Sequence, residues 1–247
     1  MVSEIRQKLQ AFKDPLFKFD PQWHRYTYGG KKYTSVTTFL KNFEKPFDEE
    51  YWSKKKSDDL GVPQDWLLKE WKEKNERANV VGTATHNYIE GYFNQIYQPL
   101  PTDIDIIDRI NKFNKIFATH LYKLQPVQFE LRIFSKKYPI AGTIDSLFLY
   151  NGKIFILDWK TNGDFKHDDH PKGRYNKLLA PFEDFYQNHL NEYSIQVSLY
   201  ALILEEWGFD IRGGYLVHFG PDTEAKIYKS QDMREKLRQY LDTYNFN

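Results

Sequence analysis

The amino-acid sequence predicts an α/β or α+β fold, in which a central mixed β-sheet is flanked by helices. Two observations support this prediction. Strand-forming runs fill the chain from Pro126 to Lys160 and recur nearer both ends. Stretches with helical periodicity lie before and after those central runs. Strands and helices that are interspersed in this way pack as layers around one hydrophobic core.

The order of the elements follows from turn signals and periodicity. The pair Gly29-Gly30 joins two strand-forming runs into a small N-terminal hairpin. Pro99 and Pro101 break the chain between two helices, and Gly82 is expected to interrupt or restart the long helix that contains it. The predicted helices cover residues 46–56, 65–97, 103–122 and 191–207, with a terminal helix from residue 232. The predicted strands cover residues 24–28, 32–37, 127–134, 139–150, 153–160, 214–219 and 225–229.

Length and composition limit the possible classes of protein. The 247 residues are enough for one large domain, with residues 1–80 as its N-terminal hairpin and helical elaboration and residues 81–247 as its core. The chain has no cysteine, which excludes disulfides, thiolate zinc sites and iron–sulfur clusters. No segment approaches the roughly 20 apolar residues of a membrane span, so we expect a soluble protein that does not bind membranes.

A net charge of +1 means that binding to nucleic acid would need a local basic cluster. The lysines of residues 54–56 and 136–137 could contact phosphates, although solvated surface is the commoner role of such runs. Aromatic residues make up 17% of the chain and could stack on single strands, although most such rings pack in cores. Residues 167–170, His-Asp-Asp-His, are of types that bind metals. They lie on a polar stretch, however, and no second cluster of ligand-type residues completes a site with them.

The turn of one hairpin determines its register. The Asn-Gly pair at residues 151–152 tolerates the positive φ angles that a type I′ turn requires. If Tyr150 opposes Lys153, the same register places Asp145 directly across from Asp158. The sequence therefore predicts two carboxylates that face each other on neighbouring strands.

Side chains alternate along strands, so each face of this hairpin carries a predictable set of residues. Thr143 and Lys160 share the face of the two aspartates. That face also carries the apolar residues Leu147, Leu149, Ile154 and Ile156. The opposite face carries Ile144, Phe148, Phe155, Leu157 and Trp159. The apolar neighbours indicate that the carboxylate face is partly buried.

Directly opposed carboxylates destabilise a hairpin unless a positive charge neutralises them, and partial burial increases the cost. A divalent cation that prefers oxygen ligands, Mg²⁺ or Mn²⁺, would supply that charge. Lys160 lies two residues beyond Asp158 on the same face, where it could orient an attacking water or stabilise charge on a phosphate. The alternative is a ladder of ion pairs on a solvated sheet face.

Four segments together resemble one family. Residues 142–145 (GTID) and 158–161 (DWKT) resemble the Asp…(Asp/Glu)-x-Lys signature of the PD-(D/E)xK nucleases, in the RecB-like branch with phage and mitochondrial genome maintenance exonucleases. Residues 82–90 are similar to the G-x-x-x-H-x-x-x-E helix of that branch, and residues 196–200 to its Q-x-x-x-Y helix. The segments occur in the family's order, and Ile144 stands where the literal PD motif has proline.

The resemblance implies a restriction-endonuclease-like core and a site for one or two Mg²⁺ or Mn²⁺ ions. It implies that the metal is held by His86, Asp145, Asp158 and the main-chain carbonyl of Trp159. Lys160 would be catalytic together with the two aspartates. The resemblance also implies second-shell or substrate-binding roles for Glu90, Glu130, Thr143, Thr161, Gln196 and Tyr200.

The activity that the resemblance implies is exonuclease cleavage of DNA, with a preference for single strands, by attack of a metal-activated water on phosphorus. The partner would be DNA that is single-stranded or has a free end. We expect a monomer in the cytoplasm of a bacterial or phage-infected cell. Two alternatives stay open, which are a structure- or sequence-specific endonuclease and a catalytically inactive nucleic-acid-binding module of the same fold.

Overall fold

The computed structural model describes residues 1–221 and 223–246. Within those residues the chain forms seven α-helices and eight β-strands. The helices are α1 (Val2–Ala11), α2 (Val36–Phe39), α3 (Glu49–Leu60), α4 (Gln64–Phe93), α5 (Ile104–Ile116), α6 (His189–Glu206) and α7 (Arg234–Thr243). The strands are β1 (Phe17–Asp20), β2 (Arg25–Tyr28), β3 (Lys31–Ser35), β4 (Gln125–Phe134), β5 (Ile140–Tyr150), β6 (Lys153–Lys160), β7 (Ile211–His218) and β8 (Lys226–Lys229). A 3₁₀ turn (Leu40–Phe43) follows α2, and a π turn (Phe117–Leu121) extends α5.

The strands form one mixed sheet in the order β1-β2-β3-β5-β6-β7-β8, with β4 paired to β5 outside that path. The pairs β3–β5 and β6–β7 are parallel, and the other pairs are antiparallel. The predicted α/β class, with a mixed sheet, flanking helices and an N-terminal hairpin, is therefore confirmed. None of the helices in the described ranges is long and apolar enough to cross a membrane.

The two faces of the sheet are covered by different helices. On one face, Leu147 and Ile156 pack in a large cluster that also contains the apolar residues of α6. On the other face, Phe148 and Leu157 pack in a second cluster with residues of α4 and α5. Neighbouring residues of one strand thus enter different clusters, as expected for a sheet that is buried on both faces.

β5 is paired along most of one edge but only at the two ends of the other edge, which leaves an opening in the sheet. β4 pairs along one edge of β5 from Ala141 to Leu149. On the other edge, β6 pairs only from Ser146 to Tyr150, and β3 pairs only at Ile140 and Ala141. Among the described residues, no strand pairs with the intervening part of that edge, residues 142–145. The last residue of this part is Asp145.

Three sequence predictions about local structure are wrong. The helix α4 continues through Gly82, because this glycine allows close packing and does not break the helix: a Cβ there would lie 3.0 Å from Thr161 Oγ1 at the end of β6. The predicted strand of residues 32–37 ends at Ser35, because the Ser35 side chain caps helix α2, which begins at Val36. Helix α1 and strand β1 were not predicted. Ile144 packs in the cluster of Leu147, not in that of Phe148, because the strand pairing is irregular between them.

The boundary predicted at residue 81 falls inside α4. The N-terminal hairpin also joins the main sheet through the pairing of β3 with β5. The N-terminal elaboration and the core therefore share one helix and one sheet, and the boundary itself stays a prediction.

Candidate active site

The β5–β6 hairpin has the predicted register. Its turn residues Asn151 and Gly152 have φ angles of 47° and 72°, as a type I′ turn requires. Five pairs follow, from Tyr150↔Lys153 to Ser146↔Leu157, and then the strands separate. Asp145 and Asp158 thus lie one position beyond the last pair.

The separation of the strands leaves a main-chain donor for Asp145. The Trp159 amide donates a hydrogen bond to Asp145 Oδ2 at 2.8 Å. This bond fixes the carboxylate at the opening between β5 and β6, where its side chain is 14% exposed. A partly exposed carboxylate held by one main-chain donor keeps lone pairs for a further ligand.

Three side chains from different elements meet at this opening. The potential ligand atoms of His86 on α4, Glu130 on β4 and Asp145 on β5 all lie within 4.8 Å of one another. His86 Nδ1 is 3.9 Å from Glu130 Oε1 and 3.7 Å from Asp145 Oδ2. One nitrogen and two carboxylates are a donor set that suits a divalent cation. The sequence predicted the roles of His86 and Asp145, but it placed Glu130 outside the ligand set.

Glu130 joins this group through an unusual backbone conformation. Its φ is 43°, which is uncommon for a residue other than glycine. The β4–β5 register is unbroken on both sides, at Phe129↔Ser146 and Leu131↔Ile144, but no pair is formed at Glu130 itself. Such a conformation costs on the order of 1–3 kcal/mol and is found most often at functional sites.

The imidazole of His86 is oriented by the main chain. Its Nε2 donates to the Trp159 carbonyl at 2.9 Å, which leaves Nδ1 facing the carboxylates. Burial lowers the pKa of His86, but the charges of Asp145 and Glu130 outweigh burial and raise it to about 9. Without a cation, a proton on Nδ1 therefore balances the carboxylates. A divalent cation can replace that proton, so these residues fit a metal site.

Asp158 and Lys160 form an ion pair beside this group, and the pair is more deeply buried than the group. Asp158 is 1% exposed, and its Oδ2 lies 2.6 Å from Lys160 Nζ. Burial raises the pKa of Asp158, and the Lys160 ammonium opposes that rise. Burial would lower the pKa of Lys160, but Asp158 outweighs it, so the lysine stays charged. The Lys160 ammonium therefore neutralises a carboxylate that is almost fully buried.

Helix α6 holds this pair from the other side. Lys160 Nζ donates to Gln196 Oε1 at 3.4 Å, and Gln196 Nε2 donates to Asp158 Oδ1 at 3.5 Å and to the Tyr200 hydroxyl at 3.0 Å. The predicted Gln196 therefore contacts the lysine, and the predicted Tyr200 contacts Gln196. The ring of Tyr193, whose centroid is 3.9 Å from Lys160 Nζ, was not predicted. Its spacing of three residues from Gln196 on one helix could have indicated it.

The remaining predicted residues lie around the group but outside it. Glu90 lies one helical turn after His86 on α4, and burial, followed by the charge of Glu130, raises the pKa of its carboxyl. Thr143 Oγ1 shares a hydrogen bond of 2.9 Å with the hydroxyl of Tyr26, and Thr161 packs on α4 as described above.

The His-Asp-Asp-His segment has a structural role. Nδ1 of His167 and Nδ1 of His170 each accept a main-chain N–H two residues later, at 3.3 and 3.1 Å. Asp168 Oδ1 accepts from the side-chain amides of Asn188 and Asn191. Within residues 1–221 and 223–246, the group of His86, Glu130 and Asp145 is the one set of side chains placed so that it could hold a metal ion.

Replacing Glu130 tests its place in the group. We expect Glu130→Gln to weaken Mn²⁺ binding by at least about tenfold, because a neutral amide replaces one of the two carboxylates in the cluster. Glu90→Gln is the matched control, since this carboxyl lies near the cluster but outside it, and it should lose less affinity. Isothermal titration calorimetry measures both. Equal losses in the two variants would contradict the assignment of Glu130 as a ligand.

Gly142 permits close packing behind the site. A Cβ at this position would lie 2.7 Å from Cε1 of Tyr200, which is buried and bonded to Gln196. We expect Gly142→Ala to lower the free energy of unfolding by about 1–3 kcal/mol through overpacking. The control is Gly163→Ala, where an added Cβ meets no atom within 4 Å. Urea unfolding measures both variants, and equal stability would show that Tyr200 can move aside.

No protein-family model and no curated protein matches this chain. A solved structure titled "Crystal structure of SSO0001" is similar to it over 68% of this chain and 73% of that chain, at 15% sequence identity and a TM-score of 0.28. A TM-score of this size carries no argument about function. The function must therefore be inferred from the residues of the site.

Proposed function

We propose that the protein is a Mg²⁺- or Mn²⁺-dependent nuclease that hydrolyses phosphodiester bonds in DNA. The observation that carries the proposal is the group of His86, Glu130 and Asp145 next to the buried pair of Asp158 and Lys160. A cation site beside a buried, charged lysine suits a reaction at a phosphate, whose negative charge increases in the transition state. The four-segment resemblance to PD-(D/E)xK nucleases supports the same reaction.

The residues that would hold the cation are His86 through Nδ1, Glu130 and Asp145, with the Asp158 carboxylate beside them. When bound, a divalent cation polarises the phosphate and lowers the pKa of a water molecule. The protein supplies a fixed set of donors for it. The main chain of Trp159 holds two of them, since its N–H donates a hydrogen bond to Asp145 and its carbonyl accepts one from His86.

The role of Lys160 follows from its surroundings. Its side chain is 16% exposed, and its ammonium is held by Asp158, by Gln196 and by the ring face of Tyr193. In hydrolysis, water adds to phosphorus and the bond from phosphorus to the leaving oxygen breaks. The preorganised ammonium stabilises the charge that develops on the phosphoryl oxygens. Gln196 and Tyr193 position the lysine and limit its movement.

The mode of cleavage is the part of the proposal that rests on the resemblance. We propose exonuclease action on DNA that is single-stranded or has a free end, by a monomeric enzyme. A structure- or sequence-specific endonuclease of the same fold would cut circular strands, and an inactive module would bind without cutting.

The test is cleavage of 5′- and 3′-labelled DNA, linear and circular, single- and double-stranded, with Mg²⁺, with Mn²⁺ and with EDTA. We expect metal-dependent release of short products from linear single strands and no product in EDTA. Cuts in circular strands would change the mode to endonuclease. Binding to DNA without cleavage under any metal would overturn the proposal.

A further inference from the structure

A cleft adjoins the metal group on the side of Glu130. It lies between α1, β1 and β4 and has a volume of about 380 Å³. This volume is within the range of small-molecule sites in proteins. Glu130 lines the cleft and also belongs to the group with His86 and Asp145. A molecule in the cleft would therefore lie next to the site of hydrolysis.

Aromatic rings form the apolar wall of the cleft. Phe12 stacks on Trp207 with ring centroids 4.9 Å apart, and Phe17 packs on Phe134 at 4.6 Å. Phe12 and Phe17 are half-buried and line the cleft. Phe17 also stacks on Tyr26, with ring centroids 6.0 Å apart, and Lys136 Nζ lies 6.0 Å from the centroid of Phe12. Their packing partners hold the rings in place. Fixed, partly exposed rings are the kind of surface on which nucleobases stack.

The charged residues of the cleft are not equally available to a ligand. The carboxylate of Asp14 is engaged, because it accepts from the Leu16 amide and from the Tyr28 hydroxyl, both at 2.9 Å. The carboxylate of Glu130 faces His86 at 3.9 Å. Both anionic groups of the cleft are thus directed toward protein partners.

The two cations are free by comparison. Across residues 1–221 and 223–246, no acceptor or carboxylate pairs with the side chain of Lys13 or of Arg132. The Arg132 guanidinium lies over the ring of Phe19, at 4.7 Å from its centroid. This contact holds the group in place but uses none of its five N–H donors. The cleft therefore presents an oriented guanidinium with its donors unused, beside a phosphate-directed site.

We propose that this cleft binds one phosphorylated nucleoside unit of the substrate strand, with the base against Phe12 and Phe17 and a phosphate on Arg132 and Lys13. The proposal rests on the proposed nuclease function, because it takes the occupant from the same strand. Arginine matches phosphate through paired N–H donors, and aromatic walls accept any base without reading its sequence. The bound unit would flank the phosphate that is cleaved.

The test is calorimetric titration of the metal-free protein with thymidine 5′-monophosphate in EDTA, with thymidine and inorganic phosphate as partial ligands. We expect saturable binding of the nucleotide that is tighter than binding of either part. Arg132→Gln should weaken it by about tenfold or more, because a charged partner of the phosphate is lost. Arg212→Gln is the matched control, since Arg212 is also exposed and without an ion pair in the described chain but lines a different cleft.

No saturable binding of the nucleotide, or equal losses in the two arginine variants, would overturn the proposal. Equal binding of thymidine and its phosphate would overturn the role of Arg132. If circular oligothymidylate displaces the nucleotide, the occupant is an internal nucleotide of the strand. If linear oligothymidylate displaces it and the circular form does not, the occupant is a strand end. Both results retain the ligand class. The titration measures no cleavage and contains no metal, so its failure is distinguishable from an inactive nuclease.

Discussion

Asp145→Asn is expected to abolish metal-dependent cleavage and to weaken Mn²⁺ binding by at least about 100-fold. Removal of an outer partner of a metal ligand already costs about 10–100-fold, and Asp145 would contribute an anionic ligand directly. The asparagine can still accept the Trp159 N–H through its amide oxygen, so the opening between β5 and β6 should keep its shape. Cleavage of labelled single-stranded DNA and calorimetric titration with Mn²⁺ give the two measurements.

Asp210→Asn is the matched control for this variant, because that aspartate precedes β7 and its side chain is 82% exposed. It should cleave DNA and bind Mn²⁺ as the unchanged protein does. Circular dichroism and thermal unfolding establish that both variants fold. If Asp145→Asn cleaves DNA at an unchanged rate, the group with His86 and Glu130 is not the catalytic metal site.

Lys160→Met should reduce cleavage by about 10²–10³-fold while Mn²⁺ binding is retained. The methionine keeps the apolar stem of the side chain and removes the charge that would stabilise the phosphate in the transition state, a loss of that usual size. Lys160 is not among the three potential ligands, so the cation site should be intact. Retained metal binding with lost cleavage separates the role of the lysine from that of Asp145.

Folding must be controlled for Lys160→Met, because the change leaves Asp158 buried without its cation. Loss of one partner of a buried ion pair costs about 3–5 kcal/mol. The double variant with Asp158→Asn removes both charges and should recover stability but not cleavage. Lys153→Met tests an exposed lysine of the same strand and should change neither property. Wild-type cleavage by Lys160→Met would remove the lysine from the mechanism.

The sequence by itself determined the two strands of the central hairpin and the register in which they pair. Turn chemistry at Asn151-Gly152 and alternation along two strands are local properties, so five residue pairs could be predicted without any tertiary information. Helical spacing likewise placed Gln196 and Tyr200 on one face, and that face lies at Lys160 in the fold. These predictions succeeded because each depends on residues that are close in sequence.

Only the tertiary structure decided which acidic residues meet His86. The sequence predicted Asp145 and Asp158 as ligands together with His86. In the fold, Asp145 and Glu130 meet His86, and Asp158 lies beside them in contact with Lys160. That outcome depends on where β6 separates from β5 and on the positive φ of Glu130. The alternation of side chains along a strand predicts neither feature. The close packing of α4 at Gly82 and the position of Arg132 beside the cleft have the same origin, since contacts between distant segments create them.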